Sequence, residues 1–170
     1  MSLTKSRNIS RLAPMKGVKA IGIASYLASD TVQNTTTGVV ELPASMGAGT
    51  IARIEVKASG NNIVETGTFD EATRTNEYVG VNTFFVPGND VALRNELQGN
   101  SGILKTVFIE DYNGKYYALG SQNGCDIMTI VGGSDSQGFT ITINSKEKEL
   151  MYELTAPAIA DYTAALMATT

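Results

Sequence analysis

Glu110 and Asp111 stand side by side just before an Asn113-Gly114 dipeptide, and Asp126 and Asp135 follow in the same Gly- and Asn-rich stretch. Carboxylates gathered at loop tips can bind calcium, but that requires a loop with oxygen ligands at alternating positions, which the chain lacks. Two acids can also hydrolyse a glycosidic bond, given a cleft that holds the sugar between them. Aromatic platforms usually line such a cleft; here there is no tryptophan, and the aromatic residues fall on expected strands. Cys125 is the one cysteine and there is no histidine. A thiol nucleophile needs a neighbouring base, and the commonest base and commonest metal ligand are both missing. One cysteine forms neither an internal disulfide nor a zinc site, so Cys125 is expected to be a small, half-buried strand residue. Gly132-Gly133 lacks the helix and lysine of a phosphate loop and fits a strand connection. The expectation is therefore no catalytic, cofactor-binding or metal-binding residue, and a chain that is not an enzyme.

The elements that position these residues follow from composition and periodicity. At 170 residues, 42% hydrophobic and 18% charged, the chain suits one globular domain with a real core. Its Gly, Thr, Ser and Asn content favours short strands and turns. A net charge of −4 argues against a sequence-independent DNA clamp, which needs a basic face to displace counterions. Mild acidity is compatible with a conduit, whose wall must not hold phosphate. Lys5, Arg7, Arg11, Lys16 and Lys19 precede the apolar run AIGIASYLA, but the basic region is too long and Gly22 and Ser25 break the run, so a secretory signal is not expected. Nowhere do about 20 apolar residues occur together, so no membrane-spanning helix is expected. Cysteine usage makes folding in the cytoplasm the default.

Residues 1–16 form a basic arm without periodicity, 17–155 a β domain with a helix near 89–98, and 156–170 a helical tail. GVKAIGIA (17–24) is the first expected strand. Residues 25–38 are polar and Thr-rich with no clean hairpin signal, and GVVELP follows as a short strand. In IARIEVKA (51–58), Ala52, Ile54, Val56 and Ala58 share one face and Arg53, Glu55 and Lys57 the other. That charged face is a candidate lumen or inter-subunit surface, with a solvated face as the plain alternative. Ser59-Gly60-Asn61-Asn62 is a turn, IVETGTF a strand and DEATRTNE a loop. YVGVNTFFV is apolar at both parities, as for a central strand covered on both faces. Asn89 or Asp90 caps a helix through VALRNELQ that ends at Gly99. Asn113-Gly114 predicts a two-residue hairpin turn, in which both residues take positive φ. FTITIN is a strand, SKEKE a charged turn and LMYEL a closing strand. Ile159, Tyr162 and Leu166 have helical spacing over 156–168, with Pro157 in the first turn. The class expected is mainly β: an antiparallel β-sandwich or partly closed barrel with one flanking short α-helix and a C-terminal helix.

This order of strand, short helix with an Arg-Asn-x-Leu core, and strand entering an Asn-Gly hairpin with aromatics beyond it resembles the C-terminal half of bacteriophage tail tube proteins and related virion proteins. The resemblance covers residues 78–154. It implies a structural virion subunit in the tail, made in the host cytoplasm, that closes hexameric rings through joined sheets. Stacked rings would form the tube through which DNA is ejected. Its partners would be itself, other tail or neck proteins, and viral DNA passing non-specifically; no cofactor and no membrane are implied. An early extended loop reaches the next subunit in that family, which makes Tyr26, Asp30, Gln33 and Asn34 the candidate inter-subunit loop. Polar ends fray unless tied down, so both termini are expected to be held by neighbouring copies. The alternatives are a neck, connector, ring or head-decorating protein, or a fibre- or adhesin-like binding sandwich. The last would expose aromatics near loops, for which Tyr26, Tyr78 and Tyr112 are the candidates.

Overall fold

Apolar residues at both parities make β1 (Val18–Ser25) a strand buried on both faces. Ile21 and Ile23 enter one apolar cluster, while Ala24 enters a second and Gly22 abuts Tyr162 on that other side. β1 lies between β4 (Ala52–Glu55) and β7 (Lys105–Asp111), antiparallel to both. Beyond β7 the sheet continues through β8 (Tyr116–Leu119) and β11 (Tyr152–Glu153). A second antiparallel run comprises β9 (Cys125–Gly132), β10 (Gly138–Glu147), β6 (Thr75–Pro87) and β5 (Glu65–Asp70). The two runs meet at two corners. Lys105 opposes Cys125, and past β4 the Lys57 N–H donates to the Phe85 carbonyl at 2.8 Å. β11 and β5 stay at the open ends of the strand order. The fold is thus the expected antiparallel sandwich bordering on a partly closed barrel. The structure, a computed structural model, describes residues 17–26, 32–34, 38–42, 46–58, 60–88, 91–132 and 138–168.

Between the two runs lies the main core, which includes Ile21, Phe84, Val107, Ile109, Phe139, Ile141 and Ile143. Each such side chain contributes about 1.5–3 kcal/mol relative to exposure. The helix α1 (Val91–Gly99) adds Leu97 to this core, with Leu93 packed beside it. On the opposite face of β1 and β7, α2 (Ala156–Ala164) places Ala158 and Tyr162 against Ile51, Phe108 and Ala118. Pro157 sits in its first turn, where the missing N–H breaks no helical bond. The tail therefore docks on its own domain. β2 (Val32–Asn34) and β3 (Gly38–Glu41) pair antiparallel, and β3 lies along α2 and β11.

Several local expectations are corrected. The segment 25–38, which lacks a clean hairpin signal, contributes β2 to the β2–β3 pair, with the expected strand from Gly38 as its partner. β6 is buried on one face only: Asn82, Phe84 and Val86 are inside, whereas Val79 and Val81 are exposed. The strands covered on both sides are β1 and β7. The strand from 51–58 is regular only over β4, with Ile51 buried in the second cluster and Ala58 exposed. SKEKE is not a turn as a whole, because β10 runs through Glu147. Cys125 is fully buried, not half-buried.

The Asn113-Gly114 turn also differs. The Asp111 N–H donates to the Lys115 carbonyl at 2.9 Å and the Gly114 N–H to the Asp111 carbonyl at 3.3 Å, so the loop has three residues. Gly114 alone takes a positive φ, of 74°, and Asn113 does not. This is the three-residue hairpin that closes on a left-handed glycine. Buried Asp111 holds it, its Oδ1 accepting from the Asn113 and Lys115 N–H groups at 2.8 and 2.7 Å. The basic arm, the helix caps Asn89 and Asp90, Asp135 and both chain ends lie outside the described residues.

Candidate assembly surface and the ionic cluster beside it

The register of three strands gathers four charges. Ala20 of β1 opposes both Glu55 of β4 and Glu110 of β7, and Gly22 opposes Arg53. Arg53 consequently reaches across β1: its Nε and Nη2 donate to Glu110 Oε2 at 3.1 and 3.0 Å, and its Nη1 donates to Glu55 Oε1 at 3.0 Å. Lys19 Nζ donates to the other Glu110 oxygen at 2.6 Å. Glu110 is only 5% exposed. Burial alone would push its carboxyl up, but hydrogen bonds from Lys19 and Arg53 outweigh burial and hold it below the ordinary glutamate value. The hydrogen bond to Glu110 in turn raises Lys19.

Beside this cluster, Phe108 and Tyr116 pack on Tyr162 with ring centroids 5.2 and 5.4 Å away. Tyr162 needs a glycine beneath it, since a Cβ on Gly22 would lie 2.8 Å from the ring. Arg53, Glu55 and Lys57 are therefore not one surface. Arg53 and Glu55 belong to the neutralised cluster, while Lys57 has turned the corner and sits with Nζ 5.6 Å from the Phe85 ring centroid. Sequence reasoning missed Glu110 as the shared partner of Arg53 and Lys19. The available signal was parity, for Glu110 falls on the same face of its strand as Phe108.

The other singled-out residues separate widely. Tyr26 is tied to its own chain, its hydroxyl donating to the Gln122 carbonyl and its N–H to the Leu104 carbonyl at 3.2 Å. Gln33 and Asn34 lie in β2 opposite Val39 and Gly38, and Asp30 is outside the described residues. Burial, and then the carboxylates of Glu147, Asp126 and Glu65, push the Cys125 thiol far up. A thiol held protonated in this way is a packing group and a poor nucleophile. No group of three His, Cys, Asp or Glu residues suited to a metal occurs among the described residues. No helix among them is long and apolar enough to cross a membrane.

Among the described residues, the β5–β6 hairpin is prominently exposed. Every β5 residue after Glu65 is exposed, and Phe69 is 58% exposed. Four residues link the strands. Asp70 Oδ1 accepts from the Ala72 and Thr73 N–H groups at 2.8 and 3.3 Å, and Arg74 closes the loop in the left-handed region at φ 53°. The N–H groups of Asn62 and Thr83 each donate to the other residue's carbonyl, so alternate pairs face β6 from there onward. By that alternation Glu65, Gly67 and Phe69 present their backbone N–H and C=O groups to the open edge. β5 carries neither lysine nor proline, and its register with β6 has no bulge. Those are devices that usually keep an edge from pairing.

No family model, curated protein or solved structure matches this chain.

Proposed function

We propose that this protein is a structural subunit of a bacteriophage tail tube, and that copies join edge to edge into rings that stack as a DNA conduit. The observation that carries the reading is the β5–β6 hairpin, whose β5 residues beyond Glu65 are exposed and whose outer edge is unpaired among the described residues. Such an edge is a template for another strand, and a subunit that consumes it in a neighbour removes the hazard. A closed rotation would limit the ring, and a head-to-tail contact would let rings stack. The resemblance over residues 78–154 supplies the virion context. On this reading the side chains do mechanical work only. The Lys19–Arg53–Glu110 cluster and the Tyr162 packing stiffen the β1–β4–β7 run, which lies across the core from the run that carries the hairpin.

Light scattering on the full chain after size-exclusion chromatography tests the proposal. Ring-sized or longer assemblies that grow with concentration are expected. A strict monomer at all concentrations, unchanged after seeding with preformed tail structures, would favour a head-decorating or binding-module role instead.

A further inference from the structure

Two carboxylates at the root of the hairpin pair with no cation among the described residues. Glu147, the last residue of β10, is 6% exposed, and its oxygens accept from the Gln122 and Asn123 backbone N–H groups, at 3.2 and 3.3 Å. Glu65, the first residue of β5, accepts from the Met151 N–H at 3.0 Å. Register places them on one face of the sheet, on the two strands flanking β6: Glu65 opposes Gly80, Gly80 opposes Ser145, and Glu147, two residues on, opposes Tyr78. Gly80 has no side chain to separate the rows, and a Cβ there would lie 2.4 Å from Ser145 Oγ. Lys148 follows Glu147 and lines the same surface pocket, but it forms no ion pair with it among the described residues. β9 contributes Cys125 opposite Ser145, β6 contributes Tyr78 and Asn82, and the 120–124 loop contributes amides. Lys146 is turned to the other face, where it holds Glu77 at 2.7 Å. Among the described residues neither Glu65 nor Glu147 forms an ion pair.

We propose that Glu65 and Glu147 form a proton-operated clasp that fixes the β5–β6 hairpin to the body when one of them is protonated and loosens it when both are ionised. Glu65 is the only β5 residue that is not exposed, so it anchors a hairpin whose tip, before Tyr78 meets β10, is a two-stranded ribbon of marginal stability alone. Ionising it against Glu147 places like charges in a poorly solvated site. Burial raises both carboxyls above their ordinary value, with Glu65 adding to the effect on Glu147. Because the folded values are raised, the clasp is complete at acid pH and is lost as pH rises through them. The device stands on this chain's own side chains and does not depend on the assembly reading.

Hydrogen exchange of the full chain, corrected for the intrinsic pH dependence of amide exchange, reads the clasp directly. Protection of residues 66–77 is expected to fall about tenfold between mildly acid and mildly alkaline pH, or about 1.4 kcal/mol of opening free energy. The paired core of β6 and β10 should keep its protection. In Glu65→Gln, which retains an acceptor for Met151, hairpin protection should be high and independent of pH. Carbon-13 titration of the wild-type carboxyls gives a second reading, with both values above those of exposed glutamates. Unchanged wild-type hairpin protection, the same pH dependence in Glu65→Gln, or ordinary titration of both carboxyls would each overturn the proposal.

Discussion

Gly67 and Tyr78 face each other across the β5–β6 hairpin, and the tyrosine ring lies where a side chain on residue 67 would be. A Cβ at Gly67 would come within 2.8 Å of the ring. Glycine weakens a strand by leaving nothing to pack, and a cross-strand aromatic offsets that loss. Tyr78→Ala should therefore loosen the hairpin, by roughly 1 kcal/mol at most, since a cross-strand pair contributes about 0.2–1 kcal/mol. Hydrogen exchange over 65–80 checks this, and protection unchanged from wild type would show that the ring does not support the strand.

Glu110 and Glu147 are similarly buried yet opposite in electrostatic character, because Lys19 and Arg53 reach one and, among the described residues, no cation pairs with the other. Glu110→Gln should destabilise the fold by about 1–2 kcal/mol. The figure is below that for a fully buried pair, since its cationic partners are partly solvated. The folded carboxyl sits below its unfolded value. Its contribution is therefore present above the ordinary glutamate range and disappears as pH falls through the lowered folded value. Urea unfolding of wild type and Glu110→Gln at pH 7 and pH 3 should show a gap that shrinks on acidification; an equal gap at both would contradict it.

The Asp111 turn separates two hairpin geometries by mutation. In the observed three-residue loop only Gly114 is left-handed, so Gly114→Ala should cost about 1–2 kcal/mol and Asn113→Ala well under that. Thermal unfolding of the two variants measures the difference. Equal, large losses would indicate the two-residue turn in which both positions require positive φ.

Much of the fold was legible because it rests on local pattern. The alternation in FTITIN and IARIEVKA, the glycine after VALRNELQ and the helical spacing of Ile159, Tyr162 and Leu166 each reflect one element's own geometry. What failed depends on neighbours. The apolar parity of β6 could not reveal that Val79 and Val81 meet no covering layer. Arg53 looked like a surface charge because its acceptor, Glu110, lies 57 positions away. The hairpin turn was misassigned because Asp111, three residues before Gly114, sets the loop length through its side chain. Among the described residues β5 is exposed along nearly its whole length, which its sequence did not announce, since exposure depends on what a strand packs against.

Negative-stain imaging of wild type and Phe69→Pro at matched concentration tests strand-edge assembly most directly. Proline at position 69 removes an N–H from the open edge and leaves the pairing with β6 intact. Rings or tubes with a central hole in wild type, and isolated folded subunits in Phe69→Pro, are the expected result. Wild type that never assembles, or Phe69→Pro that assembles as readily as wild type, would contradict it.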